Sequence, residues 1–341
     1  MMEHAVIIAG GRGERFWPRS RIDHPKQLLC LFSEKPMILE TVERIEKLIP
    51  RERIWIVALK EQEEGIRKAV SGVNFIFEPE GRNTAPAIGY AAVHLSDEDI
   101  MVVLPSDHYI GTVDKFLTCV KEAINLAEKG FLVTFGIVPT RPETGYGYIE
   151  VGKKLTDKSY KVASFKEKPN FRQAQEFLKS GKYLWNSGMF VWKVKVILSE
   201  IKKYLPDLYS GLMEIKKGGD PIKFYPKFPK ISIDYGVMER SDRVAVIRAD
   251  FSWDDVGSWT SLERIYDKDE DGNIKLGDAV LLDTRDTIVY SSDGIIATLG
   301  VNNLIVIRSG DAVLVCDKSK AQEVKRIVSE LSKQEKFRKY L

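Results

Sequence analysis

Little in this chain points to disulfides, metal knots or membranes. Its three cysteines, Cys30, Cys119 and Cys316, lie far apart in 341 residues. An odd, scattered set builds neither a disulfide framework nor a cysteine zinc site, and it suits a reducing cytoplasm. The four histidines show no H-x-x-x-H or paired His/Cys spacing. No apolar run approaches the roughly 18 residues of a membrane span, and the opening residues do not read as a signal peptide. The charge excess is only +3, with 52 basic against 49 acidic residues. That imbalance is too small to recruit nucleic acid. No GxSxG elbow and no Ser–His–Asp pattern is visible. A cytoplasmic protein with no nucleic-acid or membrane partner is therefore expected.

What the chain does have is an unusual turn. The apolar run His4–Ala9 reads as a buried first strand of a parallel sheet. Gly10, Gly11 and Gly13 follow at once, and glycine permits positive φ and close backbone approach. Such a turn can wrap its N–H groups around an anion. Arg12, Arg15, Arg19, Arg21 and Lys26 set cations beside it. A Walker loop is absent, and Phe16 stands where a dinucleotide fingerprint needs its third glycine. The residues alone leave two readings open: a polyphosphate cradle, or a tight turn with solvated arginines.

Beyond the turn, strands and helices alternate. Apolar runs at 53–59, 73–77, 100–104 and 131–136 read as strands, and 36–48, 61–70, 85–95 and 112–128 as helices. That alternation implies right-handed crossovers and a mostly parallel sheet covered on both faces. Ligands of such sheets sit outside the carboxyl ends of the strands. The glycine turn, Glu78–Thr84 and Pro105–His108 all follow strands and should line one rim. The acidic stretch Asp267–Asn273 reads as a linker. Short β runs from Asp278 to Cys316 follow, and then a helix from Lys320 to about Phe337. The expected units are 1–267 and 274–341.

Asp107 at a strand's carboxyl end is a natural Mg²⁺ ligand, or a cap for the next helix. Asn83 or Thr84 can cap the helix that Pro86 opens. Glu80 and Asn83 also offer edge-on hydrogen bonds to a base. A carboxylate accepts from guanine N1–H and its exocyclic amine, which adenine cannot reproduce.

The stretch from Ala9 to Lys26 resembles the signature of sugar-nucleotide pyrophosphorylases, GGxGxRxxP followed by PK. Gly10, Gly11, Gly13, Arg15, Pro18, Pro25 and Lys26 all match. Further similar elements follow in order: R-N-T-A-P at 82–86, G-Y-G at 145–147, E-K-P at 167–169, W-N-S-G-M-F at 185–190, Asp234, and D-x-G at 255–257. The resemblance spans about residues 4 to 265 and is nearest to the guanylyl, mannose-type members. It implies a Rossmann-like α/β nucleotidyltransferase domain (GT-A-like) with a mostly parallel mixed sheet, plus a small C-terminal β unit and terminal helix. The implied reaction is GTP plus mannose 1-phosphate giving GDP-mannose and diphosphate. The implied roles are Mg²⁺ on Asp107 and Asp255, and the nucleotide on Gly10, Gly11, Gly13, Glu80, Arg82, Asn83 and Ser106. Arg15 and Lys26 would be catalytic with the two aspartates. Gly147, Glu167, Lys168 and Asn186 would hold the sugar phosphate. A homodimer is implied through the terminal β unit. Two rivals remain: a relative using another base or sugar, and a silent GDP-mannose-binding regulator.

Overall fold

The computed structural model describes residues 1–341. Its strands are β1 (Glu3–Ile8), β2 (Ile54–Leu59), β3 (Asn74–Glu78), β4 (Ile100–Pro105), β5 (Tyr109–Ile110) and β6 (Leu132–Ile137). They continue with β7 (Tyr148–Lys154), β8 (Ser159–Lys166), β9 (Tyr183–Lys193), β10 (Val244–Arg248) and β11 (Trp253–Asp254). Nine of these form one sheet in the order β3-β2-β1-β4-β9-β6-β10-β8-β7. The pairs β1–β2, β2–β3, β1–β4 and β6–β10 are parallel. β9 runs antiparallel between β4 and β6, which makes the sheet mixed. Its sequence carries W-N-S-G-M-F, a motif that hides an 11-residue, mostly buried strand.

Alternation along the strands divides the core in two. Val6, Val57, Met101 and Val103 face one apolar layer, while Ala5, Ile7, Ile56, Ile100 and Val102 face the other. Helices Thr84–Ala92 and Val113–Glu128 cover the two faces. Burying each such aliphatic side chain contributes roughly 1.5–3 kcal/mol.

After Asp267 the chain stacks short parallel rungs. Ile274–Leu276, Ile288–Ser291 and Leu304–Ser309 pair in parallel, and Ala312–Asp317 closes that sheet antiparallel. Ala279–Leu282 and Ile296–Leu299 form a second parallel pair. The first rung is a strand that the sequence pattern did not reveal. The acidic turn before it is ordered: the Asn273 amide donates to Asp269 Oδ1 at 2.7 Å, and Asn273 Nδ2 donates to the Thr284 carbonyl at 2.8 Å.

The expected helix from Lys320 to about Phe337 needs correction. It is broken into a 3-10 segment Lys318–Glu323, an α-helix Lys325–Ser332 and a second 3-10 segment Glu335–Tyr340. Tertiary anchors override helical propensity here. Trp17 Nε1 donates to the Tyr340 carbonyl at 2.8 Å and Arg21 Nη1 to the Lys339 carbonyl at 3.2 Å. A third apolar cluster joins Phe16, Trp17, Val256 and Trp259 to Ile274, Ile305, Leu314 and Val324. The terminal β unit and the glycine turn therefore share one core.

Candidate active site

The turn after β1 leaves its amides free. Ala9 N–H still donates to the Val57 carbonyl at 2.7 Å, but those of Gly10, Gly11, Arg12 and Gly13 donate to no protein group. The turn's carbonyls are held from behind. Gln27 Nε2 donates to Ala9 O, Gln62 Nε2 to Gly11 O at 3.3 Å, and Ser20 Oγ to Gly13 O at 2.6 Å. Free amides backed by tied carbonyls make an anion cradle. Gly13 has φ +69°, and an added Cβ would stand 2.2 Å from Lys26 Cβ. No side chain fits there, so the turn packs directly on the Pro25-Lys26 segment.

Lys26 is buried, and its ammonium ties the two aspartates together. Nζ donates to Asp107 Oδ2 at 2.7 Å and to the Asp255 carbonyl at 2.9 Å. Asp107 follows β4. Asp255 reaches it through a two-residue ribbon, β5 with β11, in which Trp253 pairs with Ile110 and Asp254 with Tyr109. Burial opposes ionisation of Asp107, but the Lys26 ammonium, with His108 and backbone N–H contacts, outweighs it. The carboxyl stays below its ordinary value.

The Asp255 carboxylate accepts from Tyr146 O–H at 2.6 Å. Val256, next in the chain, has φ +51°, a strained state for a β-branched residue. Asp254 holds that turn: its Oδ1 accepts from Val256 N–H at 2.8 Å and from Arg264 Nη2 at 3.0 Å. Asp254 is thus a positioning group for the turn that carries Asp255.

No group of three or more His, Cys, Asp or Glu converges anywhere in the chain. The Asp107 carboxylate already takes up a cation, and the Asp255 carboxylate, held by Tyr146, lines the same cavity. Mg²⁺ takes such hard oxygens and fills its shell with phosphates and water. The residues present therefore fit that ion.

A cavity of about 450 Å³ opens beside this centre. Gly10, Gly11, Arg82, Asn83, Ser106, Asp107, Gly147, Glu167, Asn186 and Asp255 line it. Arg15, Gly13 and Lys26 line an adjoining cavity with Asp107 and Asp255. Glu80 and Lys168 are not brought to the main cleft. Glu80 turns to pair with Arg82, and Lys168 reaches the cleft only by pairing with Glu167.

At the far end, Glu167 Oε2 is buried without a hydrogen-bond partner. A buried, unpaired carboxylate oxygen is costly unless a ligand completes it. The Asn186 amide is spoken for: Nδ2 donates to Asp234 Oδ1 at 2.8 Å, and Oδ1 accepts from Thr134 Oγ1 at 2.9 Å. Asp234 itself lines the cleft. Burial and the neighbouring Glu167 charge raise its carboxyl above the usual range.

Sequence reasoning placed Glu78 on the rim but gave it no role. It ends β3, lies 3% exposed and lines the cleft beside Gly10. One oxygen accepts from Tyr225 O–H. Burial pushes its carboxyl up to about 7. Its position at a strand's carboxyl end was the available signal. Asn83, at φ 70°, caps the helix Thr84–Ala92 by accepting from Thr84 N–H at 2.8 Å.

A free-amide turn facing two aspartates at the carboxyl edge of a mixed sheet defines a nucleotidyltransferase. The model of the nucleotidyl transferase family matches residues 4–272, and that of the MannoseP isomerase/GMP-like beta-helix domain matches residues 277–331. A mannose-1-phosphate guanylyltransferase of Klebsiella pneumoniae is 40% identical over 97% of this chain and 74% of its own length. That of Escherichia coli K12 is 40% identical over 96% of this chain and 73% of its own. A crystal structure from Thermus thermophilus, described as a mannose-1-phosphate geranyltransferase, superposes with a TM-score of 0.93 at 39% identity. It is matched over 97% of this chain and 100% of that one. The chain belongs to the nucleotidyl transferase family, in its mannose-1-phosphate guanylyltransferase branch.

Proposed function

We propose that the chain transfers GMP from GTP to α-D-mannose 1-phosphate, releasing diphosphate and forming GDP-mannose. The observation that carries this is Lys26 Nζ, within 2.7 Å of Asp107 and 2.9 Å of the Asp255 carbonyl, beside a turn with free amides. Two remote acidic segments and the anion cradle meet at one point.

The nucleophile is a phosphate oxygen of the sugar phosphate. A phosphate monoester has its second pKa near 6, so it is mostly dianionic at neutral pH and needs no base. The oxygen attacks the α-phosphorus in line, a new O–P bond forms, and the bond to the β-phosphate oxygen breaks. The chain's work is positioning and charge neutralisation. The amides of Gly10 to Gly13 and Arg15 hold the triphosphate, and Lys26 offsets charge growing at the reacting phosphates. Asp107 and Asp255 would hold Mg²⁺, which supplies further charge neutralisation of the facing phosphates. Tyr146 and Asp254 keep Asp255 in place.

Glu167, Gly147 and the Asn186–Asp234 pair orient the sugar, and Lys168 would reach its phosphate only after leaving Glu167. The unpartnered Glu167 oxygen supports this assignment. Glu78 faces the base end, with Asn83, Arg82 and Ser106 around it; Glu80 would serve there only after leaving Arg82.

The proposed units are 1–267 and 274–341, joined by the core that Phe16, Trp17 and Trp259 share with Ile274, Ile305 and Val324. Val280, Leu282 and Leu299 expose aliphatic side chains on the terminal β unit, which supports homodimer formation there. No helix is long and apolar enough to cross a membrane. The three cysteines are free, which supports a cytoplasmic setting.

The test is a panel of four nucleoside triphosphates against several sugar 1-phosphates, reading diphosphate release with Mg²⁺ and with EDTA. GTP with mannose 1-phosphate should lead the panel, and EDTA should abolish release. A clear preference for another pair would replace this assignment. GDP-mannose binding without diphosphate exchange would favour a regulator.

A further inference from the structure

The cavity on the phosphate side, about 410 Å³, is not closed by the nucleotidyltransferase sheet alone. Its wall includes Arg12, Arg15, Lys26, Asp107 and Asp255, and also Lys325. Lys325 is the first residue of the helix Lys325–Ser332, at the far end of the chain.

That helix is fixed firmly against the glycine turn. Val324 and Ala321, just before it, are buried in one cluster with Phe16, Trp17 and Trp259. Gln322 Nε2 donates to Ser258 Oγ at 3.3 Å, and Arg21 pairs with Asp311 at 3.0 Å. The carbonyl of Tyr340 sits on the Trp17 indole N–H. Lys325 is therefore presented by an anchored element.

Charge pairing sorts the four cations of the cavity. Arg12 pairs with Glu61 at 2.9 Å and Lys26 with Asp107 at 2.7 Å. Arg15 has only a backbone carbonyl contact, Gly257 O at 3.5 Å, and Lys325 has no polar partner at all. Two unpaired cations thus border a space walled on another side by free amides and two acidic groups. A cation with no carboxylate partner has its N–H donors open for charge-assisted hydrogen bonds to phosphate oxygens.

We propose that Lys325, with Arg15, contacts the β- and γ-phosphates of the incoming nucleoside triphosphate and the diphosphate that leaves. The terminal β unit then supplies part of the active site. This assignment rests on the nucleotidyl-transfer reading above.

The experiment compares wild type, Lys325→Ala and Lys325→Arg in both reaction directions, with calorimetric binding alongside. Lys325→Ala should raise KM for GTP and for diphosphate about 10-fold, the scale of one charge-assisted contact. KM for mannose 1-phosphate and for GDP-mannose should stay within about twofold, since neither carries a β,γ-diphosphate. Lys325→Arg should recover most of the loss. An equal loss for all four ligands would reduce Lys325 to a structural part. An unchanged KM for GTP and diphosphate would remove it from the site. Should the wild type release no diphosphate with any substrate pair, the nucleotidyl-transfer reading falls instead. Calorimetric binding of inorganic diphosphate to wild type and Lys325→Ala then still decides the role of Lys325.

Discussion

Replacing Glu78 with glutamine removes a carboxyl that burial has pushed from 4.5 up to about 7. In the unfolded chain this group loses its proton near its ordinary value. In the folded chain it keeps the proton until about neutrality. Between those pH values the folded state binds more protons, so stability must fall as pH rises through the window. At about 1.4 kcal/mol per unit, the difference is about 3 kcal/mol, absent below the ordinary value and complete above pH 7 or so. The hydrogen bond from Tyr225 favours the ionised form and is already part of that balance. Glutamine is neutral at every pH and keeps an acceptor for Tyr225. Urea unfolding of wild type and Glu78→Gln at pH 5 and pH 8 measures the effect. The two should agree within about 1 kcal/mol at pH 5, and the variant should be more stable by about 2–3 kcal/mol at pH 8. A gap independent of pH, or one that grows toward acid, would refute the assignment of a raised carboxyl to this position. In the base-facing role proposed for it, Glu78 would accept guanine N–H groups more strongly once ionised. GTP affinity of the wild type should therefore rise over the pH range where its stability falls.

Two substitutions probe the other parts of the cleft. In Gly147→Ala the new Cβ would stand 2.3 Å from Glu167 Oε2 and 3.2 Å from Asn186 Cβ. Glu167 must then move, so KM for mannose 1-phosphate should rise about 10-fold or more while KM for GTP changes less than about twofold; equal effects on both substrates would place Gly147 outside the sugar pocket. Tyr146→Phe removes the O–H donor 2.6 Å from Asp255 Oδ1 and keeps the ring on Trp185 and Trp253. A hydrogen bond to a charged group contributes roughly 1.5–3 kcal/mol, so kcat should drop about 10- to 100-fold with little change in melting temperature. An unaltered kcat would mean that Asp255 holds its place without Tyr146.

Local signals account for what could be read in advance. The glycine turn announces itself because its glycines and cations are neighbours in the chain. The parallel strands announce themselves because burial on both faces writes continuous aliphatic runs. The convergence of Asp107 and Asp255 had no such local mark. It depends on a ribbon of two residues from each of β5 and β11, too short to leave a periodic pattern, and only the family resemblance pointed to it. Glu80 looked free to read a base because its partner, Arg82, is a side-chain contact that spacing does not reveal. The terminal helix looked continuous because Lys320–Phe337 has helical spacing, whereas its breaks serve contacts with Trp17 and Arg21, more than 300 residues earlier.

Glu78 and Asp107 show how far such remote partners decide chemistry. Both carboxyls stand at the carboxyl ends of strands in one sheet, Glu78 ending β3 and Asp107 just after β4. Burial opposes ionisation of both. They nevertheless shift in opposite directions, because a lysine ammonium lies against Asp107 and only a tyrosine hydroxyl against Glu78. The lysine arrives there through Gly13, whose missing side chain lets the Lys26 backbone close on the turn. A side chain at position 13 would push Lys26 away, and Asp107 would then face burial without its cation. One absent methyl group thus lets the lysine keep Asp107 ionised, whereas Glu78, with no such cation, keeps its proton to neutrality.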